Sequence, residues 1–388
     1  MRASIKLLAM AKMLVGFLMF SAAVSAATLQ VGPDKQYKTP CAAIAVAGAG
    51  DLIEIDAGLY TRDVCFIPQD NLTLRGVNGR AHLEAQDASS QGKAIWVIHG
   101  NNVVVENIEF SGASVPDHNG AGIRAEGVNW TVRNCYFHDN QDGILESNVA
   151  GSNILIEYSE FDHNGFGDGQ SHNLYIGHAG SLTFRFNWSH RAKTGHLLKS
   201  RASQNYICFN RLSDETGTAS YEIDLPNGGS SYVIGNLIEQ GRNTANSTIL
   251  TYLEEGISSL TSGTDLHLIN NSFVNDRSKG GTFVHLATAA SPAVITNNIF
   301  KGPGTVCDQP AAALTTNFIG DPLFVDAVDF DYHLTASSPA IDQGSDVGPL
   351  TPTFEYVHPA CGEYRITVGH IDQGAYEFGG AGTALVCR

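Results

Sequence analysis

VVVENIEF (103–110), TVRNCYF (131–137), ILIEYSEF (154–161), YVIGNLI (232–238), LHLINNSF (266–273) and AVITNNIF (293–300) are six versions of one phrase. Each sets two or three alternating apolar residues before a polar one, most often Asn. Asn107 and Asn134 are 27 residues apart, Asn210 and Asn236 are 26, and Asn271 and Asn298 are 27. A self-similar period of roughly 20 to 50 residues is the mark of a repeat architecture. Because no repeat contains a helix-length periodic segment, stacked strands must bury one another's apolar side chains, which predicts a parallel β-helix. Asn stacked at the turns satisfies backbone groups that a sharp corner leaves unpaired, so these Asn are read as structural.

Outward from the repeats, Thr39-Pro40 followed by CAAIAVAGAG predicts a short capped helix ended near Gly48, and DLIEIDAGLY and NLTLRG alternate as strands do. This opening resembles the N-terminal cap of the pectate-lyase-like right-handed β-helix superfamily. GDPLFVDAVDFDYHLTASSPAIDQGS (320–345) and DQGAYEF (372–378) are similar to the closing segment of secreted members of that superfamily. The resemblance implies an all-β chain, a single-stranded right-handed parallel β-helix (solenoid) with a short N-terminal capping helix. Its expected divisions are a cap and first coils over 27–85, regular coils over 101–304 and a closing segment over 305–388. Turn-capping is the reading for Asp321, Asp326, Asp342 and Asp372 there.

Arg2, Lys6 and Lys12 flank or interrupt an apolar run through Phe20, and Val24-Ser25-Ala26 offers a cleavage site, so residues 1–26 read as a signal peptide. The chain is expected to be secreted or periplasmic. Its formal charge of −16 becomes about −19 without the leader, which argues against a nucleic-acid partner. No later stretch is apolar enough to span a bilayer, and a monomer is expected. Of seven Cys, Cys41 with Cys65 and Cys361 with Cys387 are the expected disulfides; Cys135, Cys208 and Cys307 stay unassigned, with Cys208 read as a core residue.

Between Asp168 and Asp214 there is no acidic residue, in a chain that has 39 of them. The same stretch holds Arg185, Arg191, Lys193, Lys199, Arg201 and Arg211, with His172, His178, His190 and His196. Local charge decides what a cleft attracts, so this basic island predicts an anionic partner, an acidic polysaccharide or oligosaccharide. Aligning its alternation stacks three rungs, with Leu174, Leu198 and Tyr221 inward and Tyr175, Lys199 and Glu222 outward. Gly177, Arg201 and Asp224 form the next outward column.

Elimination from a uronic acid needs a base for the proton beside the carboxylate, a positive group to neutralise that carboxylate, and an acid for the leaving oxygen. Lys199 is the expected base, Arg201 the carboxylate fork, and Tyr175, His172 or His196 the source of the remaining proton. Arg191, Lys193, Asn173, His178 and Phe166 are expected to contact substrate. LKSRASQN (198–205) resembles the Lys-Ser strand of the chondroitinase B and alginate lyase family, whose Lys acts as Brønsted base near a Ca²⁺. The resemblance makes Lys199 that base and Asn205 the Asn downstream of it. Where those lyases have an Arg on the following rung, this chain has Glu222, and Glu222 with Asp224 is the candidate ligand set if Ca²⁺ is present.

The same residues also suit a plain ion-pair ladder. A glycoside hydrolase using Glu222 and Asp224, or a non-catalytic glycan-binding surface protein, are the alternatives. Two insertions, Asp162 to Ser171 and Tyr252 to Thr264, are expected to wall the groove, the first offering His163, Phe166 and Asp168 to a substrate.

Overall fold

Where the repeat phrase turns its corner, a residue with positive φ is followed by one whose side chain points into the coil. The first position runs Asn107, Asn134, Tyr158, Phe186, Phe209, Gly235, Asn270, Asn297 and Thr316, with φ between 46° and 66°. In the second, Asn187, Asn210, Asn236, Asn271, Asn298 and Asn317 form a ladder, each side-chain amide donating to the next Asn Oδ1 at 2.9–3.2 Å. Each Oδ1 also accepts the backbone N–H of the Asn before it, at 2.9 Å. Polar groups at a buried corner are thereby paired without water. The recurring Asn of the sequence thus serve two positions: Asn107 and Asn134 take the left-handed one, which Asn tolerates, and the later ones build the ladder.

The computed structural model describes residues 26–387; the expected leader, apart from Ala26, lies outside them. Coil upon coil pairs in parallel register into two extended sheets, one of ten strands from Cys65–Ile67 to Thr305–Cys307 and one of 21 strands that includes the strands on both sides of the Asn corner. Inside, Phe110, Phe137 and Phe161 stack at 5.0 Å, and Phe273 stacks on Phe300 at 5.1 Å. Aromatic pairs of this kind add about 0.5–1.5 kcal/mol each beyond their burial.

Pro40–Ile44 forms the capping helix, with Thr39 Oγ1 accepting from Ala42 N at 3.4 Å and with Ala43 and Ile44 buried in the core that the coils share. Cys41–Cys65 ties it to the first strand of the ten-stranded sheet, and Cys361–Cys387 closes the C-terminal segment on itself. Coil strands continue to Phe318–Ile319. The chain beyond folds back along the outside of the 21-stranded sheet, where Phe354 packs edge-on against Phe186 and Phe209 at 5.5 and 5.6 Å. Cys208 belongs to this seam and not to the coil interior, because it lies in the outward column between Arg185 and Ile234. Burial pushes its thiol up to about 12. Among the described residues no helix is long and apolar enough to cross a membrane.

Candidate functional site

The ten-stranded sheet carries the basic rung. Leu145 pairs with Tyr175, Tyr175 with Lys199, Lys199 with Asp224 and Asp224 with Thr251, so these five make one column on its outer face. Leu174 and Leu198 are inward, as expected, and fully buried. Gly195 lets the Lys199 strand approach its neighbour closely: a Cβ there would sit 1.9 Å from Ser171 O.

The third rung differs from the expected one. Leu198 pairs with Ile223 and Lys199 with Asp224, two residues later than the alignment that stacked Glu222 on Lys199 and Asp224 beside Arg201. The register extends to set Glu222 beside Leu197 and Ile249, residues at the corner where the chain enters the sheet, and all three are 0% exposed. At that corner two consecutive side chains point inward, so strict alternation misassigns whichever residue stands there. Tyr221, expected inside, is half-buried, and its hydroxyl donates to Glu254 Oε2 at 3.0 Å. Asn173 shares the corner with Leu197 and is fully buried; its amide donates to His190 O at 2.8 Å and Ser189 Oγ at 3.1 Å, so it does not face a substrate.

Around Lys199 the charges interlock. Its Nζ lies 3.0 Å from Asp224 Oδ2, 3.7 Å from Glu255 Oε1 and 5.4 Å from the centroid of Tyr175. Arg201 donates from Nε to Tyr175 Oη at 2.8 Å, from its terminal nitrogens to both Glu255 oxygens at 2.7 and 2.9 Å, and also to Asn227 Oδ1. Burial alone would lower the Arg201 guanidinium, but Glu255 and Tyr175 hold it above its ordinary value. The Arg201 hydrogen bond in turn holds Glu255 below the usual carboxylate range. Burial lifts Asp224 to about 6, against the opposing pull of Lys199.

His172 and His196 stack at 4.4 Å beneath this group. His172 Nδ1 accepts from His196 N at 3.0 Å and His196 Nδ1 accepts from Tyr221 N at 3.2 Å, so each ring carries its proton on Nε2. His196 Nε2 then faces Asp224 Oδ2 at 3.4 Å. Burial, with Lys199 and Arg201 nearby, pushes His172 down to about 3, and burial drives His196 well below its ordinary value. Both shifts favour the neutral rings, His172 edge-on to Tyr175 at 5.5 Å and His196 beside Asp224.

Of the expected contact residues, His178 reaches the site's edge, its Nδ1 2.8 Å from Thr261 Oγ1, which itself donates to Arg201 O at 2.9 Å. Phe166 is half exposed and stacks on His118 at 3.5 Å, held there by Asp168 on His118 Nδ1 at 3.1 Å. Arg191 is turned to the other sheet, where it grips Asp162 at 2.9 and 2.7 Å, and Lys193 pairs with Asp139 at 3.3 Å. Neither joins Lys199. Glu255, Asn227 and Thr261 are the residues that sequence reading missed; Glu254-Glu255 inside an insertion facing a basic rung is the signal that points to them.

Glu222 and Asp224 do not make a Ca²⁺ site. Glu222 points into the coil with neither carboxylate oxygen hydrogen-bonded, while Asp224 Oδ2 faces Lys199 and His196 on the outside. The same divergence removes them as a carboxylate pair for hydrolysis.

Residues 70–169 match the family model of the right-handed β-helix region. Among solved structures, pectate lyase Pel9A is similar over 92% of this chain and 97% of its own, with a TM-score of 0.64 and 14% identity. A Geobacillus virus E2 protein, ORF18, matches 72% of this chain and 57% of its own at a TM-score of 0.46 and 16% identity. The pectin methylesterase from Aspergillus niger matches 84% and 93% at 0.34 and 15%. No curated protein matches in sequence. The family-model match and the likeness to Pel9A establish the fold, a right-handed parallel β-helix.

Proposed function

We propose that the chain is an exported carbohydrate-active enzyme, a polysaccharide lyase that cleaves a uronate-containing polysaccharide by β-elimination along the ten-stranded sheet. One observation carries the reading: Lys199, in the strand Leu198–Ser200, and Arg201, just past its end, project into the same space beside Tyr175, and a partly exposed carboxylate already occupies the Arg201 fork. Glu255 makes there the bidentate contact that a uronate carboxylate needs.

In this reading the substrate carboxylate replaces Glu255 on Arg201, which spreads the negative charge that develops as the neighbouring C–H bond breaks. Lys199 acts as the free amine, its resting proton released to solvent before the step; Nζ then takes the C–H proton, and Asp224 at 3.0 Å compensates the ammonium that results. The electron pair of the C–H bond becomes the new C=C bond and the glycosidic C–O bond breaks. Tyr175 Oη supplies the proton to the leaving oxygen, with Arg201 Nε–H remaining beside it at 2.8 Å. His172 and His196 keep the rung in position. No step requires a metal. The two disulfides are compatible with an oxidising compartment and hence with export.

Incubation with alginate, pectate, glucuronan and chondroitin-type polymers tests the reading. Ultraviolet absorbance from unsaturated chain ends is expected with at least one of them and is lost in Lys199→Ala. Silence across all four overturns it, and new reducing ends without unsaturation assign hydrolysis instead.

A further inference from the structure

Away from Lys199, on the outer face of the 21-stranded sheet, three consecutive coils bring together two imidazoles and a carboxylate. His82 stands in Thr73–Glu84, Glu109 in Ile108–Ser111 and His138 in Tyr136–His138. His82 pairs in register with Glu109, and Ser111 with His138. Outward side chains of stacked rungs therefore converge although 27 and 29 residues separate them in the chain.

The geometry is that of a ligand set. Glu109 Oε1 lies 3.4 Å from His82 Nδ1 and 3.2 Å from His138 Nε2, and the three ligand atoms all fall within 4.8 Å of one another. Ligand atoms about 2.1 Å from a tetrahedral ion stand about 3.4 Å apart. The second nitrogen of each ring is also fixed: His82 Nε2 meets Ser111 Oγ at 2.7 Å and His138 Nδ1 meets Asp139 Oδ2 at 3.0 Å. Outer partners of this kind set the tautomer and the ring orientation of metal-bound His. Tyr136 stacks on His138 at 4.4 Å, and Lys193 steadies Asp139 at 3.3 Å. Arg80, over the Tyr136 ring at 5.8 Å, is the cation that faces the group. The three side chains are 19–26% exposed, ordered yet reachable from solvent.

One coil further along the same columns, Glu160, Asp162 and His190 form a second such group. There Arg191 already neutralises Asp162 with two hydrogen bonds, and His190 is wholly buried against Trp188. Only the first group has its ligand atoms free of a cationic partner at hydrogen-bond distance.

We propose that His82, Glu109 and His138 bind a divalent transition-metal ion of the Zn²⁺ class, with solvent completing the fourth position, and that this ion staples three successive coils. Two nitrogens and one oxygen suit such an ion and not Ca²⁺, which takes oxygen ligands. The readout that tests it is binding and not turnover, so it stands apart from the lyase reading.

Metal-stripped, tag-free protein is titrated with Zn²⁺ by calorimetry and with Co²⁺ by visible absorbance. One equivalent is expected, with the strong visible bands of tetrahedral Co²⁺ and a higher melting temperature in Zn²⁺. H82A and, as a second route should that variant fold poorly, H138Q lower the affinity by at least about 100-fold, while D139N lowers it by about 10-fold. E160Q leaves it unchanged. Absence of binding, binding that survives both His variants, or loss in E160Q alone overturns the proposal.

Discussion

Glu255 holds Arg201 through two hydrogen bonds, at 2.7 and 2.9 Å, from an insertion that leaves the Glu255 side chain 49% exposed. A carboxylate of the chain therefore occupies the position that an acidic sugar needs, and the two must compete. Glu255→Gln weakens that competition. Binding of uronate oligosaccharides is expected to tighten about fivefold, the equivalent of about 1 kcal/mol for a partly exposed pair. Weaker binding in calorimetry would mean that Glu255 orients Arg201 for substrate and does not compete with it.

Lys199→Met separates chemistry from support. Loss of the base is expected to cost about 10²–10⁴-fold in kcat with little change in KM. It also leaves Asp224 buried without its cation. Asp224 is already held at about 6, above its unfolded value, so ionising it costs stability as pH rises through its folded value. The variant should therefore melt close to wild type at pH about 5 and clearly lower at pH about 8. Equal losses at both values would assign Lys199 a packing role instead.

Glu222 gives a second pH prediction. Its carboxyl is fully buried with both oxygens unpartnered, and burial, followed by Asp214 and Glu239, drives it well above the ordinary range. Burial likewise lifts Glu239 to about 8 and Asp142 to about 8. The native state binds more protons than the unfolded one in this window, so stability falls as pH rises from about 6.5 to about 8.5. Below about 6.5 the trend is opposed, because His172 is held down at about 3 and unfolding lets it take up a proton. Glu222→Gln keeps the shape without the charge and is expected to add about 1–3 kcal/mol at pH about 8, with a smaller gain at pH about 5. Urea melts at the two values measure this directly.

The Asn ladder makes a prediction for the scaffold alone. Asn236 accepts from Asn210 and donates to Asn271 at 2.9 Å and to Ile207 O at 2.8 Å. Asn236→Ala orphans buried partners on both neighbouring coils, with an expected loss of about 2–4 kcal/mol and an unchanged rate per folded molecule. A change in KM at constant stability would contradict the separation of ladder and groove.

The repeat was legible because a coil spends one fixed set of residues per turn, and Asn107, Asn134, Asn210 and Asn298 kept that count visible. The strand from Leu198 to Ser200 was legible as well: an apolar residue, Lys199 and a small residue alternate, and the pleat sends them to opposite sides. Glu222 and Asn173 were not. Both stand where the chain bends into a sheet, and there two neighbours in a row face inward. Arg191 and Lys193 looked like part of one basic cluster, yet the corner after His190 carries them to carboxylates of the other face.

By itself, then, the sequence determined the kind of fold, its capping helix and the strand that carries Lys199, with Arg201 just past its end, since each rests on local period or spacing; it also led to the expectation of both disulfide pairs, from the segments that each would tie. Only the tertiary structure decided that Asp224 stands next to Lys199, that Glu255 reaches across to Arg201 and that His82, Glu109 and His138 meet. Strands of three residues leave most of each turn to its corners, and the number of residues that a corner absorbs follows from packing against the coils above and below it, which no local pattern encodes.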